Sequence, residues 1–269
     1  VERVLYNNVL TGVSLSGDKY TYQNPLNTDK PDRWEWHVCP CCPPMFLKIM
    51  AAMPGYIYAY QGDNVYVNLF IGSEVRIPVG DNSVRLKQLT SYPWHGAVSI
   101  QVNPDKASTF SMKVRIPGWA QGTENPYDLY QSNLKAPVKL KVNQEDVLLR
   151  IVDGYAEINR EWKKGDHIEL ELPMQPRLIT ANKAVENLRG QVALASGPII
   201  YCFEDADNPE LQTFKLQAQT PLELSHDSNL LNGVNIIKCQ GDIPAKAIPY
   251  YAVANREESH SYKVWVPQK

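Results

Sequence analysis

The sequence lacks the features that would assign it to a membrane or to nucleic acid. No apolar run approaches the roughly 20 residues that a membrane-spanning helix requires. The 27 basic and 29 acidic residues give a net charge of −2. The chain therefore has no excess of positive charge that would attract a phosphate backbone or an anionic bilayer. We expect neither nucleic acid nor a membrane as a partner.

Cysteine is scarce and unevenly distributed. Of the five cysteines, Cys39, Cys41 and Cys42 lie within four residues, whereas Cys202 and Cys239 are far downstream. A disulfide framework is normally even in number and dispersed, and a bridge between adjacent cysteines is strained. The cluster therefore predicts a metal site or a reactive thiol, and the two distant cysteines are expected to be buried.

The chain also begins without an initiator methionine or a signal segment, so we expect the natural N-terminus to lie upstream. The compartment cannot be read from these residues. Val1, Val4, Leu5 and Val9 follow the spacing of one helical face, and Gly12 can end the helix. We interpret this stretch as the end of a helix.

Two prolines follow the cysteine cluster. Proline is tolerated in a first helical turn, so Pro43 and Pro44 predict a helix over residues 45–53. Cys41 and Cys42 would then lie just ahead of its N-terminus. The predicted apolar face consists of Phe46, Ile49, Met50 and Met53.

After Gly55 the pattern changes to short strands. Aromatic and β-branched residues on either side of 61–64 predict a hairpin. Turn signals at regular intervals then favour an antiparallel β-sandwich over 56–176, and a proline-rich junction at 172–176 precedes a second β unit over 177–269. The predicted strands are 74–79, 83–89, 97–102, 109–116, 138–142, 155–159 and 167–172 in the first unit, and 192–195, 199–203, 214–218, 233–238, 248–254 and 262–266 in the second. The fold class is thus mainly β: two antiparallel, jelly-roll-like β-sandwich units after a short helical segment, residues 1–55.

Thiolates bind zinc and act as nucleophiles, and a helix N-terminus favours the ionised form. A structural zinc site usually has four protein ligands, and this cluster supplies three at most. The histidines downstream of the cluster are isolated, so further ligands would have to come from elsewhere. Three buried, inert cysteines are the simpler alternative, but their spacing beside a helix start favours the functional interpretation.

The cluster resembles a known family. Trp36-x-x-Cys39-Pro40-Cys41-Cys42-Pro43-Pro44 is similar to the signature of glycoside hydrolase family 127, the β-L-arabinofuranosidase-type enzymes. Weaker motifs on both sides of the cluster occur in the order typical of that family. They are Leu5-Tyr6-Asn7, Asn24-Pro25-Leu26, Gly55-Tyr56-Ile57-Tyr58, Arg115-Ile116-Pro117-Gly118-Trp119-Ala120, Gly197-Pro198-Ile199-Ile200-Tyr201 and Ala254-Asn255-Arg256.

The resemblance implies that the chain is the C-terminal part of such an enzyme. Residues 1–55 would end an (α/α)6 catalytic barrel, and the sandwiches 56–176 and 177–269 would follow it. The rest of the barrel, upstream of residue 1, would be the partner of this segment. A homodimer is a further expected assembly.

The resemblance also assigns roles to single residues. Cys41 matches the nucleophile position, and Cys41 with Cys42 match two zinc ligands. The remaining glutamate and cysteine ligands, and the acid/base glutamate, would lie upstream. Cys39 matches a motif cysteine for which no ligand role is inferred. The implied reaction is retaining hydrolysis of a β-L-arabinofuranoside or related plant glycan, with a zinc-held thiolate as nucleophile.

Other residues carry weaker hypotheses. Asp32 and Glu35 flank the cluster and form a minor candidate acid/base pair. Tryptophans can stack on sugars but more often fill a core; these are Trp34, Trp36, Trp94 and Trp119. Two other functions stay open for the chain, a carbohydrate-binding module and a purely structural β-sandwich accessory.

Overall fold

The computed structural model describes residues 1–35, 41–241 and 243–269. The chain is mainly β, as predicted, with few helices. It divides into two compact units: Val1–Ile49, Gly122–Leu134 and Gln175–Lys269 form the first, and Met50–Gln121 with Lys135–Met174 forms the second. The strands, in chain order, are β1 Asn27–Thr28, β2 Tyr58–Gln61, β3 Asn64–Val67, β4 Ser73–Val79, β5 Asn82–Thr90, β6 Ala97–Pro104, β7 Ser108–Arg115, β8 Tyr130–Ser132, β9 Lys139–Val142, β10 Glu145–Asp146, β11 Ile151–Val152, β12 Tyr155–Trp162, β13 Asp166–Glu171, β14 Arg177–Ala181, β15 Gln191–Ser196, β16 Ile199–Glu204, β17 Leu222–Asp227, β18 Val234–Cys239, β19 Ala245–Pro249, β20 Tyr262–Lys263 and β21 Val266–Pro267.

The N-terminal helix forms, but with a different inner face from the one predicted. Helix α1, Glu2–Val4, continues as a π-helical turn, Leu5–Val9. Val1 and Val4 are exposed, whereas Glu2, Leu5 and Asn7 are buried. The wider π turn changes the angular spacing of its side chains. The apolar spacing therefore predicted the helix correctly and its buried side wrongly.

Helix α2, Cys42–Ala52, confirms the helix predicted after the prolines. It begins at Cys42, so Cys41 alone precedes it. The face predicted to be apolar is half-buried, while its neighbours Met45 and Leu47 are exposed. A further short helix, α3 Pro54–Ile57, lies where we expected the chain to enter a strand at once. Short 3₁₀ helices are Gly118–Gln121, Pro126–Asp128, Glu186–Leu188 and Tyr250–Ala252.

The second unit contains two sheets. One has the order β10-β9-β13-β6-β5-β4 and the other β11-β12-β7-β3-β2. Along β5, Val84 and Leu86 are buried while Lys87 is exposed, the alternation of a strand with one core face. Trp162 lies fully buried against Phe110 and donates from Nε1 to its carbonyl at 3.0 Å. The predicted hairpin is confirmed, but β3 pairs with β7 in parallel, an exception to the expected antiparallel pattern.

The first unit contains one branched sheet of ten strands, with the main order β17-β18-β19-β16-β15-β14-β8. Two predicted strands differ here. Residues 214–218 form one isolated bridge, between Leu216 and Gln268, and no strand. Of the predicted strand 248–254, residues 248 and 249 belong to β19, and Tyr250–Ala252 form a 3₁₀ helix. The strands β8, β14 and β17 were not predicted, because their alternation is weak.

The predicted domains 1–55, 56–176 and 177–269 remain a prediction. The compact units group the chain in another way, since β8 belongs to the ten-stranded sheet through its pairing with β14. In the described part of the chain, the helices are too short or too polar to cross a bilayer.

Candidate active site

The adjacent cysteines stand at the start of α2. Cys41 is exposed and Cys42 is half-buried, and both are free thiols. Their Sγ atoms lie 3.8 Å apart, far beyond the ~2.05 Å of a disulfide bond. Pro43 and Pro44 lie in the first turn, where a missing N–H breaks no helical hydrogen bond. The local sequence therefore presents two reduced sulfurs side by side.

The distance between the two sulfurs can be compared with the distance between two thiolate ligands of one metal ion. Zinc binds thiolate at about 2.3 Å with tetrahedral angles, which places two thiolates of one ion about 3.8 Å apart. The Cys41 and Cys42 sulfurs already have that spacing. Elsewhere in the described ranges, no group of three or more Cys, His, Asp or Glu side chains is arranged to hold a metal. The cysteine pair thus fits half of a zinc site.

The other candidate residues from the sequence are the third cysteine, two carboxylates and several tryptophans. Cys39 and Trp36 lie outside the described residues. Asp32 accepts a hydrogen bond from Trp34 Nε1, and Glu35 is exposed and 3.8 Å from the Lys19 ammonium. Neither carboxylate is buried. Trp34 packs in parallel on Tyr22 at 5.5 Å, whereas Trp119 is buried in the core of the second unit.

Arg33, which the sequence did not single out, anchors the segment that leads to the cysteines. Its guanidinium donates to the Thr11 carbonyl at 2.9 Å and to the Val253 carbonyl at 2.9 and 3.1 Å. Burial lowers the pKa of Arg33 to about 10, so the side chain stays charged at neutral pH. A half-buried cation that faces backbone carbonyls is held by those bonds. Arg33 therefore ties residues near both ends of the first unit to each other.

The segment bound by Arg33 is itself fixed by a buried ion cluster. Glu204, with a fully buried side chain, accepts hydrogen bonds from the Ala254 amide at 2.7 Å and from Arg256. Arg256 also reaches Asp207 at 2.7 Å, and Lys246 pairs with Asp207 at 2.5 Å. Burial opposes the charge of Arg256, but the two carboxylates outweigh it and raise its pKa. The sequence motif Ala254-Asn255-Arg256 contributed to the family resemblance, but it did not predict this cluster.

A second buried cluster joins three distant parts of the chain. Glu124 accepts from Arg177 Nε at 2.6 Å and also binds Arg3. Arg177 is 1% exposed and donates in addition to the Gly197 carbonyl at 2.9 Å. Burial raises the pKa of Glu124, but the two guanidinium groups outweigh it and hold the value at about 2. Arg3, Glu124 and Arg177 are isolated charged residues in the sequence, so no local pattern predicted this triad.

Three family sequence models match successive parts of the chain. Residues 1–55 match "Beta-L-arabinofuranosidase, GH127 catalytic domain", residues 64–174 match "Beta-L-arabinofuranosidase, GH127 middle domain", and residues 176–267 match "Glycoside hydrolase family 127 C-terminal domain". The model for the catalytic domain thus covers the segment that carries both cysteines.

Known proteins agree with these matches. A non-reducing end β-L-arabinofuranosidase of Bifidobacterium longum subsp. longum is 29% identical over 96% of this chain. A solved GH127 β-arabinofuranosidase superposes with a TM-score of 0.93 at 35% identity. A GH127 β-L-arabinofuranosidase from Geobacillus stearothermophilus T6 gives 0.90 at 34% identity, and both structures match 100% of this chain. The chain spans 43% of the curated relative and 45% of each of these two structures.

Proposed function

Because the chain belongs to glycoside hydrolase family 127, we propose that Cys41 and Cys42 form part of the active centre of a retaining β-L-arabinofuranosidase. The observation that carries this proposal is the 3.8 Å separation of the two sulfurs, which suits two thiolates on one zinc ion. Cys41 is the nucleophile and a ligand, and Cys42 is a second ligand. Zinc, when bound, would keep both sulfurs ionised.

The exposure of the two thiols divides their roles. Cys41 is exposed and precedes the helix, so its sulfur is open to an incoming sugar. Cys42 is half-buried in the first turn of α2 and suits a purely structural ligand. In the first step the Cys41 thiolate attacks the anomeric carbon, the C–S bond forms, and the glycosidic C–O bond breaks. A carboxylic acid protonates the departing oxygen.

In the second step water attacks the anomeric carbon of the S-glycosyl intermediate. The carboxylate formed in the first step takes the proton of the water, the C–O bond forms, and the C–S bond breaks to return the thiolate. Two inversions at one carbon retain the configuration. Among the described residues, the two cysteines do not belong to any group of three or more Cys, His, Asp or Glu side chains that could hold a metal. We therefore propose that 1–269 alone is inactive and that the acid and the remaining ligands come from the part of the relatives' length that this chain does not span.

Elemental analysis tests the metal proposal directly. The polypeptide that carries residues 1–269 together with the family's barrel should bind one zinc ion. Cys41→Ser and Cys42→Ser should each lose it, whereas Cys239→Ser, which changes a buried cysteine outside the cluster, should retain it. A protein without zinc, or with zinc that neither cysteine affects, would contradict the proposal.

Activity tests the nucleophile separately. Cys41→Ser should lower kcat on an aryl β-L-arabinofuranoside by at least about 10³-fold, because a serine hydroxyl is a far weaker nucleophile than a thiolate at neutral pH. Cys239→Ser is the matched control. Mass spectrometry of the wild-type protein with a slow substrate should find the sugar on the peptide that contains Cys41; a label on another peptide would sink the assignment.

A further inference from the structure

The two cysteines lie in a stretch of chain whose two ends return to the same place. Arg33, upstream of the cysteines, donates from Nη1 to the Thr11 carbonyl at 2.9 Å. Phe46, downstream of them, borders the next residue, since a Cβ added at Gly12 would lie 3.5 Å from Phe46 Cδ2. Both ends of the segment 34–45 are therefore attached to one pair of neighbouring residues, which we call the Thr11–Gly12 turn.

The Thr11–Gly12 turn is itself fixed by hydrogen bonds. The Gly12 amide donates to the Val9 carbonyl at 3.0 Å, and the Gly12 carbonyl accepts from the Thr21 amide at 3.2 Å. Thr21 Oγ1 donates to the Thr11 carbonyl at 3.0 Å, in addition to the bond from Arg33. Thr11 and Thr21 are buried, so these bonds form away from water, where they are stronger. The turn can therefore determine the position of what is attached to it.

The upstream end of the segment is fixed at more than one point. Arg33 Nε and Nη2 donate to the Val253 carbonyl at 3.1 and 2.9 Å. The next residue, Trp34, exchanges two backbone hydrogen bonds with Tyr20, at 2.8 and 2.9 Å. A guanidinium is planar and its donors form a fixed fork, so Arg33 can hold two carbonyls in one relative position. A lysine ammonium has no such fork.

The downstream end determines which side of helix α2 faces inward. Phe46 follows Cys42 by four residues within α2, so the two side chains lie on the same face of the helix. Both are half-buried, whereas Cys41 and Met45, one position earlier in each turn, are exposed. The contact between Phe46 and Gly12 therefore directs the Cys42 side of the helix inward and leaves Cys41 outside.

We propose that Arg33 and Phe46 are positioning residues for the cysteine pair. Acting through the Thr11–Gly12 turn, they fix the rotation of α2, which keeps Cys41 exposed and Cys42 half-buried. Attachment at both ends limits the conformations of a short segment, so the two sulfurs are held near 3.8 Å before a ligand arrives. The orientation of the thiols rests on these contacts alone, whereas its value for metal binding rests on the proposed function.

Alkylation of the 269-residue chain without metal tests the orientation. Iodoacetamide at low conversion, followed by tandem mass spectrometry, should label the exposed Cys41 at least about fivefold faster than Cys42. In Arg33→Met and in Phe46→Ala this ratio should fall at least about threefold, because one end of the segment is released. Arg33→Lys should give an intermediate ratio, since it keeps the charge and loses the fork.

Two controls separate local release from loss of the fold. Cys202 and Cys239 are buried in the same unit, so they should stay unlabelled wherever the fold is intact. Arg189→Met removes an exposed guanidinium that donates to the Lys183 carbonyl, and it should keep the wild-type ratio within about 1.5-fold.

A wild-type ratio retained in both Arg33→Met and Phe46→Ala, with Cys202 and Cys239 unlabelled, overturns the proposal. If either variant also labels these two buried cysteines, the milder Arg33→Lys and Phe46→Leu decide by the same ratio.

Metal binding separates this inference from the proposed function. In the polypeptide that includes the family's barrel, Arg33→Met and Phe46→Ala should each weaken Zn²⁺ binding at least about tenfold, measured by competition with a chelator. The double variant should lose less than the product of the two, because opening one end already frees the segment. If the wild type binds no zinc while the labelling ratio responds as expected, the proposed function fails and the positioning role stands. If zinc depends on Cys41 while the ratio does not respond, the positioning role alone fails.

Discussion

Cys41 and Cys42 are neighbours in the sequence, and this adjacency already limits what their side chains can do. An ordinary disulfide is strained between adjacent residues, whereas a spacing of 3.8 Å suits one metal ion. The start of α2 at Cys42 then separates an exposed sulfur from a half-buried one. Two residues of the same type thereby receive different expected roles.

At the level of a single residue, we expect the largest loss of unfolding free energy from a substitution of Glu124. Replacing it with Gln removes the charge that compensates Arg177, which is 1% exposed. An unpaired buried guanidinium should cost about 3–5 kcal/mol of unfolding free energy, measured by urea denaturation. Asp105→Asn breaks the exposed pair with Arg76 and should cost less than about 1 kcal/mol. Equal costs for the two variants would refute a stabilising role for the triad.

The same residue predicts an acid limit of stability. The pKa of Glu124 is about 2 in the folded protein against 4.5 for an ordinary glutamate. Between these values the unfolded chain binds more protons than the folded one, so the contribution of Glu124 is full above pH 4.5 and decreases as the pH falls toward 2. Urea midpoints over this range should decrease less steeply in Glu124→Gln than in the wild type.

At the level of elements, the N-terminal helix is attached to the ten-stranded sheet through one buried side chain. Asn7 Nδ2 donates to the Arg3 carbonyl at 2.7 Å and to the Pro198 carbonyl at 2.9 Å. Its Oδ1 accepts from the Ile200 amide at 2.8 Å. A single amide therefore satisfies backbone groups of both the helix and the start of β16.

Asn7→Ala should lower the unfolding free energy by about 1–3 kcal/mol, because the Ile200 amide and two carbonyls lose their partner in a buried setting. The neighbouring Asn8→Ala is the control, since Asn8 is exposed on the same helix. Chemical denaturation of the two variants measures the difference. Equal stability of both would mean that this attachment is unimportant.

At the scale of the whole molecule, the compact units do not follow the order of the chain. Residues 122–134 leave the second unit, contribute β8 and Glu124 to the first, and return. The family match for the middle domain, 64–174, contains this excursion. The C-terminal match, 176–267, thus lacks two strands of the sheet in which it folds, β1 and β8, and the buried charge of Glu124.

We therefore expect the complete chain to unfold this sheet in a cooperative transition, and residues 175–269, expressed alone, to lack that transition. Addition of a peptide of residues 122–134 should restore part of the structure, as seen by NMR and circular dichroism. A peptide with Glu124→Gln should restore less. A cooperative transition of 175–269 at an unchanged urea midpoint would contradict this view.

The sequence by itself determined the β class, most strands of the second unit, the helix after the double proline and the family. These features depend on local spacing, turn residues and one contiguous motif. It misjudged the buried side of the N-terminal helix and the strand at 214–218, because alternation reports burial and not a hydrogen-bonding partner. The cysteine pair was visible as a motif, and its proposed roles stay predictions.

Only the tertiary structure decided which distant residues meet. Arg3, Glu124 and Arg177 are separated by more than fifty residues each, and Arg33 reaches the carbonyl of Val253. The β8 pairing arises in the same way. These contacts join segments of the first unit that are far apart in the chain, and a local pattern of residue types holds no information about which distant segments meet.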